Sequence, residues 1–359
     1  MPELQKVTVV IPSLDPDDRL PAVIRGVQEK GFTDILLVDD GSAEQNQHYF
    51  QTAEHEMGCT VLHHTKNLGK GRALKTAFQW LLENRPDAAG CVTIDGDGQH
   101  HADDILACTE EMLSQEQDAI VLGARDFKTD NMPAKSRFGN KCTAAVFKLF
   151  CGMAVTDTQT GLRVFPRSVW KQMLDISGER FEYETNMLLM CGQQKIRMTE
   201  HPIRTIYIDS NASTHFHPIK DSARIYGIIL RYFRGSLISY AVEFLTFILL
   251  NGFLKQSGFA QHLFLACALG GIAGLVFGFL FNRREMFRST APRATVAARH
   301  CILWAFRMFA SFLLILLVTK PFGDSVPAQD LFKFLVDFLL CFGSFRIKQA
   351  WIFRTEPEV

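Results

Sequence analysis

The chain has 359 residues, 47% of them hydrophobic, and its 38 basic side chains are balanced by 38 acidic ones. Such a length allows two or three domains, and the hydrophobic share is high for an ordinary soluble protein. Zero net charge provides no basic footprint for nucleic acid, and nine scattered Cys without a C-x-x-C spacing argue against a disulfide framework or a zinc site.

The N-terminal "MPELQKVTVVIP" lacks a basic start followed by a long apolar core, so no signal peptide is expected and the first domain is expected to stay in the cytoplasm. Short β-branched runs predict strands at 7–11, 34–39, 60–64, 89–95 and 119–124. Between them lie stretches of helical period such as "KGRALKTAFQWLLENR". This alternation predicts an α/β domain with a largely parallel sheet, whose ligands bind outside the carboxyl ends of the strands. The polar clusters "PSLDPDD", "DDGS", "KNLGKG", "DGDGQH" and "ARDFK" fall at those ends and predict one continuous site.

Asp39 and Asp40 precede a Gly-Ser turn, where they either accept hydrogen bonds from a nucleoside or only cap the next helix. Lys70 lies between glycines at a helix start, a place that favours a phosphate, although the P-loop spacing is absent. Asp95 and Asp97 end an apolar run with only Gly96 between them. Two hard oxygen ligands with few partners suit Mg²⁺ or Mn²⁺ completed by water and phosphate oxygens, and a solvated turn is the plainer alternative. Gln99 is the better third contact; His100 and His101 are expected at the surface or the helix entry.

In this order, "VVIPSLDPDD", "LLVDDGSAEQ", "KNLGKGRALKTAF", "IDGDGQH", "GARD", "DTQTGLRVF" and "FEYETNML" resemble the glycosyltransferase family 2 pattern. The resemblance covers about 6–220 and is nearest to polyprenyl-phosphate sugar transferases of the dolichol-phosphate mannose synthase type. It implies a GT-A fold, a UDP- or GDP-linked hexose donor and Mg²⁺ or Mn²⁺. Asp40 would hold the nucleoside with Lys70 beside it, Asp95 and Asp97 would hold donor and metal, and Gln99 would add a metal contact. Pro12, Asp15, Asp17, Asp39 and Gly96 complete the expected nucleotide-sugar set. Ser13 to Asp17 depart from the aromatic, Asn and Glu usual in relatives, which leaves the nucleotide open.

Arg125, Lys128, Lys135, Arg137 and Lys141, with Ser136 and Asn140, form a basic run next to the metal-bearing strand end. A solvated face is the alternative, but relatives use this loop to grip a lipid phosphate, and Arg forks suit phosphate oxygens. Arg163, His215 and Lys220 join the expected acceptor-phosphate set, with Asp157 and Gln159 nearby. Asp95, Asp97, Arg125 and Arg137 are the expected catalytic residues. A phosphate acceptor is already ionised and needs no base, so in-line attack would invert the anomeric centre. Glu182 and Glu184 are expected as helix-face or sugar-binding carboxylates rather than as that base.

Beyond residue 216 the chain turns apolar. An amphipathic juxtamembrane helix is expected over 217–235, then a membrane domain over 236–355 with four spans near 236–254, 262–281, 301–319 and 331–353. Basic residues concentrate in the loop holding Arg283, Arg284 and Arg288 and in the tail holding Arg346 and Lys348, which places both on the cytoplasmic side with residues 1–216. "FNRREMF" and "RIKQAWIF" resemble the paired signatures of GtrA-like membrane domains. Glu243, Arg307 and Asp337 fall within spans, where charge is costly unless paired, and a Glu243–Arg307 ion pair is expected. The expected protein is an integral membrane enzyme of the cell membrane acting on a nucleotide sugar and a polyprenyl phosphate. A hydroxyl-directed transferase or a membrane flipping or scaffold protein is the alternative, and the oligomeric state, a homo-oligomer included, is left open.

Overall fold

The computed structural model describes residues 3–125, 155–204, 218–281, 293–322 and 325–347, together with residues 140, 144, 147, 148 and 206. The chain divides into two compact units, Met1–Ile225 and Tyr226–Val359.

The first unit is built on seven strands: β1 (Val7–Ser13), β2 (Ile35–Asp39), β3 (Thr60–His63), β4 (Gly90–Thr93), β5 (Ile120–Arg125), β6 (Arg163–Pro166) and β7 (Met198–Ile203). They form one sheet in the order β3-β2-β1-β4-β6-β5-β7. All neighbours are parallel except β6, which runs against β4 and β5. The helices are α1 (Arg19–Glu29), α2 (Gln47–His55), α3 (Lys70–Asn84), α4 (Ala102–Ser114), α5 (Trp170–Leu174) and α6 (Glu182–Gln194).

Every residue of β2 is buried, and β1 is buried throughout but for one partly covered position, as expected of central parallel strands sandwiched between helices. Leu20, Ile24 and Val27 recur at helical spacing on α1 and pack with Val9, Ile11, Ile35 and Leu37. Each such fully buried side chain contributes about 1.5–3 kcal/mol. All five expected strands are present. The sheet is largely parallel, as expected, with β6 as its antiparallel member; β6 and β7 escape the alternation pattern because β6 is a four-residue run behind a polar loop and β7 is only half-buried. Since β6 is antiparallel, it begins at the sheet edge where β1, β2, β4 and β5 end, so the "DTQTG" loop before it reaches the same edge.

The second unit contains α7 (Pro218–Gln256) from Tyr226 onward, α8 (His262–Phe281), α9 (Arg293–Thr319) and α10 (Val326–Ile347), with α9 packed against both α8 and α10. The juxtamembrane helix and the first span, expected as separate pieces, are one continuous helix that runs through Gly235, where the break was placed. Two segments, Leu237–Gln256 and Ala297–Thr319, are long and apolar enough to cross a membrane by length and composition, and His262–Gly278 is a shorter apolar stretch. The fourth expected span overlaps α10 over 331–347 and otherwise lies outside the described residues; α10 carries Lys333 and Asp337 and, among the described residues, falls short of that standard. Among the described residues, every large exposed hydrophobic side chain lies at position 238 or beyond.

Four charges of the helical unit, Glu243, Arg307, Lys333 and Asp337, are turned inward. Glu243 pairs with Arg307 and lies 3.5 Å from Lys333, which also pairs with Asp337 one turn along α10. Ser311 donates to Asp337 and accepts from Lys333, and the Lys333 ammonium lies over the Phe247 ring. The expected Glu243–Arg307 pair is therefore part of a four-charge network that also takes in Lys333 and Asp337.

Candidate active site

The Asp95–Asp97 loop leaves β4 through buried Ile94 and settles on the end of β1. Gly96 is held there by space: an added Cβ would lie 3.2 Å from Leu20 and 3.3 Å from the Ser13 hydroxyl. Asp95 Oδ1 meets Lys70 Nζ at 2.7 Å, and Asp95 Oδ2 lies 3.5 Å from His100 Nε2. Lys70 Nζ also reaches Glu184 Oε1 at 3.1 Å. Asp97 Oδ1 accepts from the Gln99 backbone N–H at 3.0 Å.

Burial works against ionising Asp95, but the Lys70 ammonium and His100 outweigh it and hold its carboxyl far below the usual range. Burial also works against Lys70, and the charges of Asp95 and Glu184 overcome it, so the ammonium persists at any physiological pH. Asp97 is pushed the other way, raised by burial and then by the Asp95 charge. The two carboxylates repel, and only one of them is compensated by Lys70 at ion-pair distance.

Lys70 is placed by glycines. Gly69 has φ +104, a conformation that side chains rarely adopt, and a Cβ on it would strike the Glu179 carbonyl. A Cβ on Gly71 would lie 2.5 Å from Tyr183 Cβ. The G-K-G sequence thus lets the start of α3 dock onto the start of α6, bringing Lys70 to Glu184. Asp40 secures the other side of this loop, accepting from the N–H groups of Leu68 and Gly69 at 2.9 and 2.7 Å and meeting His64 Nδ1 at 2.8 Å. Asp39 accepts from Ser42 N–H and Gln47 and meets His63. Burial raises the Asp39 pKa, yet those hydrogen bonds leave it below the ordinary value. Both carboxylates are thus engaged in shaping the strand ends.

The corner after β1 is similarly tied. Asp15, at φ +47, accepts from Ala43 N–H and Asn46, and its own N–H donates to Ser42 Oγ at 2.9 Å. Pro12 lies within β1, opposite Val38. Asp17 pairs with Arg19 at the start of α1 and is half exposed.

On the other flank, Arg125 forks onto Asp157, at 2.7 Å from Nε and 3.1 Å from Nη2. The Asn140 amide is engaged with the same loop, donating to Thr156 O and accepting from Thr158 N–H and Oγ1. Arg163 is almost fully buried and donates to the carbonyls of Thr160 and Glu184, so it staples β6 to α6 rather than presenting itself to an exposed phosphate. Gln159 is exposed, and its N–H donates to Asp157. Glu182 accepts from the N–H groups of Glu179 and Arg180 at the start of α6. Ser136, Arg137, His215, Lys128, Lys135 and Lys141 lie outside the described residues, as does the side chain of Lys220.

Residues 8–174 match the family Glycosyl transferase family 2. The first unit carries a glycosyltransferase family 2 domain. An uncharacterised protein of Methanocaldococcus jannaschii is 28% identical over 230 residues, 63% of this chain and 92% of its own. The UDP-N-acetylglucosamine–dolichyl-phosphate N-acetylglucosaminyltransferase of Methanococcus voltae is 28% identical over 222 residues, 56% of this chain and 86% of its own. The dolichyl-phosphate beta-glucosyltransferase of Drosophila melanogaster is 23% identical over 252 residues, 64% of this chain and 76% of its own.

In the glycosyltransferase domain, two site residues stand apart from the sequence expectation. His101 caps α4 through Nδ1, as a helix-entry residue should, but His100 is buried against Asp95 with neither ring nitrogen hydrogen-bonded. Gly161 is the other: a Cβ there would collide with the Asp95 carboxylate, and its carbonyl accepts from Thr93 Oγ1 at 3.0 Å. The glycine in "TQTGLRVF" was a visible signal, but nothing in the sequence says that it faces a residue 66 positions earlier. Among the described residues, Ser13 Oγ beside Gly96 and His100 Nδ1 are buried without a hydrogen-bond partner, and His100 Nε2 faces the Asp95 carboxylate at 3.5 Å.

Proposed function

We propose that the glycosyltransferase domain transfers a hexose from a UDP- or GDP-linked donor to the phosphate of a polyprenyl-phosphate lipid, with a divalent ion, Mg²⁺ or Mn²⁺, and inversion at the anomeric carbon. The observation that carries this reading is the half-compensated carboxylate pair Asp95 and Asp97, set at the strand ends with Lys70 and unpartnered polar atoms around it. The names of the relatives from Methanococcus voltae and Drosophila supply the acceptor class.

The donor set fits the ion. Asp95 and Asp97 offer hard oxygen, and among the described residues no third His, Cys, Asp or Glu joins them as a metal-holding group, which leaves places for water and diphosphate oxygens. When bound, the ion supplies positive charge for the departing nucleoside diphosphate. The acceptor phosphate oxygen attacks the anomeric carbon, and the bond to the diphosphate breaks with its electron pair leaving on the diphosphate. An ionised phosphate needs positioning rather than a base. Glu184 pairs with Lys70, and Glu182 Oε1 accepts from backbone N–H groups while its Oε2 has no hydrogen-bond partner among the described residues. Arg125, on the Asp157 fork at the end of β5, together with Arg137, is assigned to the acceptor phosphate.

The helical unit is assigned to the membrane as a GtrA-like domain. Its exposed apolar surface, inward charges and two long apolar segments support that reading. The basic sequences at 282–292 and 346–354 assign the catalytic domain to the cytoplasmic face. The test is transfer from radiolabelled UDP- and GDP-hexoses to undecaprenyl phosphate with Mg²⁺ or Mn²⁺. Metal-dependent product that Asp97→Ala abolishes supports the reading; no product from any donor, with a folded nucleotide-binding protein, refutes it.

A further inference from the structure

Asp95 holds an internal cation where an external one is wanted. Lys70 Nζ bridges Asp95 Oδ1 and Glu184 Oε1 at 2.7 and 3.1 Å, while Asp97 nearby has no cation at ion-pair distance among the described residues. A divalent ion bound by the carboxylate pair must take over Asp95 from an ammonium that lies against it. The backbone beneath Lys70 is pinned, because Gly69 and Gly71 lie hard against the 179–183 segment. The side chain is not pinned in this way: a flexible four-carbon stem carries the ammonium. A helix start with a lysine on it favours phosphate oxygens, so a diphosphate arriving there offers the ammonium a new partner.

We propose that Lys70 is the resident cation of the carboxylate pair: it holds Asp95 while no divalent ion is bound, and it yields Asp95 when a nucleoside diphosphate draws the ammonium away. This rests on the metal and nucleotide reading of the site given above. Lys70 is then a gate on metal entry as well as a donor contact. Metal and nucleotide are coupled through one side chain, and by linkage each raises the affinity for the other by the same factor. A protein so built takes up its ion together with its donor and holds little of it in between.

The test is calorimetric titration of Mn²⁺ into the full chain in detergent, without nucleotide, with UDP and with GDP, for the wild type, Lys70→Met and Lys70→Arg. Lys70→Met is expected to raise nucleotide-free Mn²⁺ affinity by at least about fivefold and to shrink the nucleotide effect by a similar factor. Lys70→Arg keeps the charge and is expected to behave as the wild type. Lys70→Ala, titrated alongside, gives the same reading if the longer neutral side chain disturbs packing. Unchanged or weaker nucleotide-free affinity in both neutral variants, with Mn²⁺-dependent transfer by the wild type intact, overturns the resident-cation proposal and leaves the site reading standing. Absence of Mn²⁺ binding in the wild type and in both neutral variants, with either nucleotide, overturns the metal reading and this proposal with it.

Discussion

In the α/β unit Asp95 meets Lys70 where the strands of the sheet end, and beside them Asp97 is left with a backbone N–H as its hydrogen-bond donor. In the helical unit Glu243 meets Arg307 and Lys333, Lys333 meets Asp337, and Ser311 bridges the last two, with Lys333 and Asp337 only 1% exposed. The ingredients are alike, acids and bases withdrawn from water, but the accounts differ. The helical network is balanced in charge: two acids face two bases, and a hydroxyl ties two of them together, although Arg307 Nε has no hydrogen-bond acceptor among the described residues. The cluster at the strand ends is unbalanced, with the carboxylates of Asp95, Asp97 and Glu184 gathered around the ammonium of Lys70. A balanced network suits the holding of helices in register, whereas an acid-rich one is suited to a cation.

That contrast can be broken experimentally, beginning where the largest change is expected. Asp95→Asn removes the carboxylate to which Lys70 and His100 turn, and sugar transfer should fall roughly a thousandfold while the circular dichroism of the purified protein is unchanged. Gly161→Ala pushes a methyl group into the Asp95 carboxylate. A displacement on the order of 1 Å is worth about a hundredfold in rate, readable as a loss in kcat with the same fold. In the other unit, Arg307→Met strands Glu243 beside Lys333 alone and should cost about 3–5 kcal/mol in a detergent unfolding titration, much of it recovered by adding Glu243→Gln.

Asp97→Asn sharpens the comparison from the opposite direction. Burial and the Asp95 charge raise the Asp97 pKa, so its ionised form opposes folding at pH values above the ordinary carboxylate range. Replacing it should raise Tm at neutral pH while abolishing transfer, the mark of a residue kept for a ligand at the expense of the fold. As pH is lowered, Asp97 takes up its proton before Asp95 does, so Mn²⁺ affinity should decline while the Lys70–Asp95 pair is still intact. The smallest effect is expected at Asp17, half exposed and paired with Arg19: Asp17→Ala should change stability by no more than about 0.5 kcal/mol, and a large loss of nucleotide affinity would give that corner a binding role.

The five strands that end near the site were legible because each is a β-branched run closed by a polar cluster, and Asp95, Asp97 and Lys70 stood out as charges at strand or helix ends. What remained hidden depends on contacts between distant segments. Nothing local distinguishes Gly161, whose constraint is the Asp95 side chain, or His100 from His101, which differ only in the direction the turn gives them. Asp40 and Asn140 looked like ligand contacts by residue type, yet the first is occupied by the N–H groups of Leu68 and Gly69 and the second by Thr156 and Thr158. In the helical unit the pairing of Glu243 with Arg307 followed from cost alone, while Lys333 joined it because α10 turns that side chain inward.

The most direct test of the central claim offers the wild type undecaprenyl phosphate and undecaprenol side by side, with the active nucleotide sugar and Mn²⁺, and repeats the pair with Asp97→Ala. Product on the phosphate lipid alone, absent from the variant, is the predicted result. Product on the alcohol, or product on the phosphate that Asp97→Ala leaves undiminished, would contradict it.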